Sequence, residues 1–191
     1  SAVQILAKPS MMSPRHHGSE TKTGPSKNEP EEDLPVFDVS SAFQTQLDAL
    51  LAAYYKMHFT LSRDNFETAV MVAGLFLKAL ESVDMRLLEG QAHMVWMSEL
   101  EKLRESAKKV ASAPGIEEAR HGFSLISETM IAVAKQFGSG DGQPVIRFNC
   151  SMAFDGRRGN WLQNKEGVEN PYYGEMMFKC GEQVEVIRPG N

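Results

Sequence analysis

Residues 116–137 read IEEARHGFSLISETMIAVAKQF. Ile116, Ala119, Phe123, Ile126, Met130, Val133 and Phe137 recur at intervals of three and four, and Gly138 follows the last of them. That spacing returns side chains to one side of a 3.6-residue helix, so one apolar stripe must be buried against a neighbour. Three upstream segments offer partners. His93, Trp96, Leu100, Leu103, Ala107 and Val110 form a stripe that stops before Pro114-Gly115. Phe66, Val70, Ala73, Leu77 and Leu80 form another, with Asp64 as its expected cap. Phe43, Leu47, Leu50, Tyr54, Met57 and Leu61 form the first, behind candidate caps at Ser40 and Ser41. Four amphipathic segments with short joints predict an antiparallel four-helix bundle over residues 38–138.

After Gly138 the pattern changes. SGDGQP (139–144) is a turn-rich break. VIRFN (145–149) and QVEVI (183–187) read as short strands, while DGRRG (155–159) and NPYYG (170–174) between them read as loops. The expected fold class is therefore mainly α: a four-helix bundle followed by a small, irregular β-containing C-terminal appendage at 139–191. Such an appendage has little core of its own, so a staple is expected. Upstream, residues 10–37 are rich in Ser, Pro, Lys, Glu, Gly and Thr and predict a flexible linker. Residues 1–9 then read as the remnant of a preceding unit.

The chain has 191 residues, 42% apolar and 24% charged, with a net charge of −5. That suffices for a real core and forces no basic surface, so nucleic acid is not an expected partner. No run reaches the roughly 20 apolar residues that span a bilayer, since the Ala69–Leu80 stretch is short and carries Lys78. Direct membrane insertion is not expected. Neither a Gly-rich phosphate loop nor a nucleophile elbow occurs, so a binding role is expected rather than an enzymatic one. His58, near the end of the first helix, is expected to carry partial charge against the helix dipole. His121 is expected to be solvated.

The chemistry lies in the tail. Cys150 and Cys180 are the chain's two cysteines, and methionines flank both, in Cys150-Ser151-Met152 and in Met176-Met177-Phe178-Lys179-Cys180. Thiolate and thioether sulfur select soft ions such as Cu(I). On a strand, residues 150 and 152 share a face, and one helical turn over 176–180 would put 177 and 180 on one face. Three readings stand side by side: a soft-ion site of Cys150, Met152, Met177 and Cys180, with Met176 as an alternate; a disulfide closing a loop of about thirty residues, worth roughly 3–4 kcal/mol by loop entropy; and unpaired sulfur residues filling a core, which with 11 methionines in the chain is unremarkable. Zinc fits less well, because its closed sites want four Cys or His ligands. His93 and Met97, four residues apart on one helix, are a further alternate donor pair, set against the plainer expectation of a packed, hydrogen-bonded His93.

Several motifs in order carry a family resemblance: Cys150-Ser-Met-Ala-Phe-Asp155, Trp161-Leu162, Asn170-Pro-Tyr-Tyr-Gly174, Met177-Phe-Lys-Cys180-Gly181, and in the third helix Gly90-Gln-Ala-His93-Met-Val-Trp96-Met97. Over residues 40–187 the chain resembles a bacterial domain family that occurs alone or fused to the C-termini of heavy-metal efflux adaptors of the copper/silver RND class. Where that family usually shows Cys-Pro-Met, this chain has Ser151, which keeps both sulfurs and loosens the backbone between them. The resemblance implies a periplasmic module that handles Cu(I) or Ag(I), with the adaptor core and the RND pump as partners. It also implies that residues 1–9 are the remnant of an adaptor core. The alternative it leaves open is a structural or docking module stapled by a Cys150–Cys180 disulfide.

Overall fold

The computed structural model describes residues 34–188, so the readings of residues 1–33 lie outside the described residues. Four long helices occupy the first two thirds of that span: α1 Ser41–Leu61, α2 Phe66–Glu81, α3 Gly90–Ala111 and α4 Ile116–Phe137. Consecutive helices pack on one another, with α1 and α4 meeting less closely. The stripes expected on α1 and α4 are the buried ones, from Phe43 to Leu61 and from Ala119 to Phe137, with Ile116 half-buried at the start. Trp96 of α3 seats edge-on against Phe43 and Phe137, with ring centroids at 5.3 and 6.0 Å, and closes one end of the core.

Two sequence expectations about α2 are corrected. Its buried residues are Ala69, Val72, Ala73, Phe76 and Leu80, so the core face is turned away from Val70 and Leu77. Val70-Met71-Val72 and Leu75-Phe76-Leu77 are apolar on every side, and periodicity alone cannot choose a face in such a helix. The cap is Asn65, whose Oδ1 accepts from the Thr68 amide at 3.1 Å. Asp64 sits one residue too early, at φ +56°, and its carboxylate is engaged elsewhere, by Arg120 and by the Glu175 amide. The α1 cap is as expected, Ser40 Oγ accepting from the Phe43 amide. Phe37, assigned above to the linker, instead packs on Phe137 at 5.2 Å and donates its amide to the Gln136 carbonyl.

A three-stranded antiparallel sheet follows: β1 Val145–Cys150, β2 Gly159–Gln163 and β3 Glu182–Ile187, in the order β2-β1-β3. β2 was not expected, because Gly159 and Asn160 next to DGRR read as loop. Cross-strand neighbours share a face, so the register sorts the sheet into two sides. Arg147, Asn160 and Glu185 lie on the side that meets α4, where Asn160 donates to Glu128 and Lys135 pairs with Glu185 at 2.9 Å each. Ile146, Phe148, Cys150, Trp161 and Gln163 lie on the other side. Trp161 meets Tyr172 there, from residues 164–181, the strap that joins β2 to β3.

The strap supplies the staple that the sequence called for, by packing. Trp161 is fully buried, stacked on Phe148 at 5.7 Å and edge-on to Tyr172 at 5.8 Å. Tyr172 continues to Phe123 of α4 at 6.2 Å, so sheet, strap and bundle share one core. Among the described residues, no helix is long and apolar enough to cross a membrane.

Candidate functional site: a paired dithiol under the strap

Cys150 ends the central strand β1 and is fully buried. Cys180 is half-buried at the end of the strap, immediately before β3. Thirty residues apart in sequence, the two Sγ atoms lie 3.3 Å apart, and both are free thiols. The hydrogen bond between them favours the protonated form of Cys180, and burial adds to it, so the Cys180 thiol is held above its ordinary value.

Local chemistry explains why the sulfurs meet. Gly181 lies at φ +136°, and a Cβ there would stand 2.8 Å from both the Trp161 ring and the Asn149 carbonyl oxygen. Only glycine lets the chain pass that close to the indole in that conformation. On the opposite strand Gly159 pairs with Cys150, and a Cβ there would strike the Tyr172 ring and stand 2.9 Å from Ala153. The strap therefore descends onto the sheet at the place where Cys150 faces it.

Asn170 fixes the strap's shape. Fully buried, it donates from Nδ2 to the Cys180 carbonyl at 2.7 Å. Its Oδ1 accepts from the Tyr172 and Tyr173 amides at 2.8 and 3.1 Å. In the sequence Asn170 stands out only as part of a loop motif, although Asn before Pro is the signature of a turn built on the Asn side chain. Gln163 does similar work: its Oε1 accepts from Trp161 Nε1 and the Glu169 amide, and its Nε2 donates to the Gly167 carbonyl.

Bundle residues hold the strap from below. Buried Arg120 of α4 donates to the Pro171 and Leu61 carbonyls and pairs with Asp64. Glu169 is clasped by Lys165 and Arg63 at 2.8 and 3.2 Å. Burial pushes its carboxyl up, but those two cations outweigh burial and leave it below the ordinary value. His58 Nε2 donates to the Glu169 carbonyl at 2.8 Å, and burial lowers its pKa to about 4. The expected partial charge on His58 is thus corrected: the imidazole is neutral near pH 7, because desolvation outweighs the pull of Glu169.

The methionines are placed less tightly. Met177 is half-buried at the end of a 3-10 turn, Gly174–Met177, and its carbonyl accepts from the Cys180 amide at 2.9 Å. Met152 is 57% exposed in the turn after β1, with its carbonyl held by the Tyr173 hydroxyl at 2.7 Å. Met176 is 77% exposed. His93 and Met97 stand in the first turns of α3, at the bundle end closed by Trp96, Phe43 and Phe137. Cys150 lies by contrast beside Ala153 and Phe154, whose ring meets His121 of α4 at 4.6 Å. Along α4, from His121 to Phe137, those two ends are roughly 24 Å apart at 1.5 Å per residue, so the α3 pair is not brought to the cysteines. His93 is half-exposed, and its ring has no hydrogen-bond partner among the described residues, unlike the packed histidine expected. His121 is exposed, with one face on Phe154.

Chemically, two thiols in contact can lose protons to hold a thiophilic ion, or lose electrons to join. The donor set fits a soft ion and not a hard one, and no group of three or more Cys, His, Asp or Glu side chains converges among the described residues. The Cys150 and Cys180 sulfurs would hold such an ion, supplying two soft donors once deprotonated. Met177 is half-buried on the turn that ends at Cys180, whereas Met152 and Met176 are exposed.

Compared with known proteins, residues 50–142 match a family model described as "Protein of unknown function (DUF3347)". The match takes in just under half of the chain, most of the helical bundle, and both cysteines fall outside it. No curated protein and no solved structure matches the chain. By that match the bundle is similar to this family.

Proposed function

We propose that the chain is a soft-ion-binding module, taking Cu(I) or Ag(I) through the Cys150 and Cys180 thiolates with Met177 as the third donor. Met152 serves as an outer thioether that meets the ion first. The observation that carries the proposal is the 3.3 Å approach of two free sulfurs from segments thirty residues apart. The hydrogen bonds of Asn170 and Gln163 and the close passage of Gly181 hold that approach, which inert packing of two cysteines would not require. Burial of Cys150 with partial exposure of Cys180 gives the ion one side of entry.

The resemblance of the tail motifs to domains fused to copper/silver efflux adaptors supports the setting. In this reading the module works in the periplasm beside an RND pump, tethered to the adaptor core through the segment that precedes the bundle. Tethering raises the local concentration of an ion carrier at the pump without any new contact. The module passes the ion on, or reports its level, and makes or breaks no bond in a substrate.

The test is a titration of reduced protein with Cu(I) against a competing chelator. About one ion per chain is expected for the natural sequence and none for the Cys150→Ser, Cys180→Ser double variant. Equal binding by the two proteins overturns the proposal.

A further inference from the structure

Resting on the soft-ion reading, we infer that Cys150 and Cys180 are also an ordered site of thiol–disulfide exchange, with Cys180 as the entry thiol and Cys150 as the resolving thiol, so that oxidation closes the ion site. Three observations place the roles. The sulfurs are in contact at 3.3 Å. Cys180 is half-exposed, whereas Cys150 is fully buried under the strap. Cys180 lies in a turn, followed by Gly181 at positive φ, whereas Cys150 is fixed by ladder pairing to Gly159. An external disulfide can therefore reach one sulfur and not the other.

The Cys180 thiolate attacks one sulfur of a disulfide oxidant, and the oxidant's other sulfur leaves as a thiolate. Cys150 loses its proton and attacks Cys180 Sγ, expelling the second oxidant sulfur. Two protein thiols become one disulfide, and one oxidant disulfide becomes two thiols. Closing the gap from 3.3 Å to a bond of about 2.05 Å removes both thiolates from ion binding and draws the strap down onto β1. An ion held between the sulfurs blocks the same reaction, so ligand and oxidant compete for one pair.

The experiment uses the full reduced chain and glutathione disulfide as the probe, followed by intact-mass and peptide analysis. The natural protein should lose two hydrogens with no lasting adduct. Cys150→Ser should accumulate one glutathione on Cys180, and Cys180→Ser should react at least tenfold more slowly. Because either variant can unsettle the fold, limited alkylation of the natural protein supplies a second readout, and the first alkyl group should fall on Cys180. Ag(I) added at one equivalent should slow oxidation at least tenfold. Equal adduct rates in the two variants with the first alkyl group on Cys150, or a natural protein that stays dithiol in excess glutathione disulfide, overturns the inference. Ordered oxidation in a protein that binds no Ag(I) or Cu(I) would sink the ion reading alone, and ion binding without oxidation would sink this inference alone.

Discussion

Asn170 donates its side-chain amide to the backbone carbonyl of Cys180 at 2.7 Å, and so fixes the height at which the strap carries one sulfur over the other. Asn170→Ala removes that bond and the two that Oδ1 accepts from the Tyr172 and Tyr173 amides. Buried partners left unsatisfied cost about 1–3 kcal/mol each, partly relieved by water. The expected outcome is a loss of roughly 2–4 kcal/mol in urea unfolding and a weaker Ag(I) affinity, with ion stoichiometry unchanged. An affinity that holds while stability falls would separate the strap from the site.

Trp161 is the largest side chain between sheet and strap. Trp161→Ala should cost about 3–5 kcal/mol, as for other fully buried aromatic truncations. Trp161→Phe should keep most of the packing but lose the hydrogen bond from Nε1 to Gln163. The measurable sign is faster alkylation of Cys150 in Trp161→Ala, since the roof over that thiol then opens more often.

His58 should make the protein acid-sensitive. Its folded-state pKa is lowered by burial from 6.5 to about 4, so between those values the unfolded chain binds a proton that the folded one refuses. Stability is fully present above pH 6.5, falls as the pH drops toward 4, and loses no more from this group below that. A shift of this size corresponds to roughly 3 kcal/mol. His58→Gln keeps a donor for the Glu169 carbonyl without titrating, and its stability should be flatter by about that amount across the window. Parallel curves for the two proteins would contradict the assignment.

The thioether's role is separable from that of the thiols. Met177→Leu keeps the apolar volume and removes one sulfur. Ag(I) affinity should fall at least tenfold while urea stability changes by less than about 1.5 kcal/mol, the usual cost of a volume-conserving swap. Met176→Leu, at a largely exposed position, should leave both unchanged.

The helices were legible because their stripes obey one period and end at turn residues. Phe43 to Leu61 and Ala119 to Phe137 are buried as their spacing requires. α2 was legible as a helix but not in its facing, since Val70, Met71, Leu75 and Leu77 blur the stripe that Val72 and Phe76 belong to. β2 was missed because its Trp and Leu follow glycine and asparagine, and only pairing with β1 makes that stretch a strand. For the site, the two sulfurs were legible as a pair of soft donors. Their meeting was among the readings on offer, but what secures it was not legible, because it depends on Gly181, Asn170 and Trp161 acting together across the fold. His58 was misread for a related reason: its position at a helix end is local, and its burial beneath Glu169 is not.

X-ray absorption at the metal edge of Cu(I)-loaded protein puts the central claim to its most direct test. The expected first shell is sulfur alone, three scatterers falling to two in Met177→Leu, with no such shell in Cys150→Ser, Cys180→Ser. A shell of nitrogen or oxygen, or a sulfur shell that survives loss of both cysteines, would contradict it.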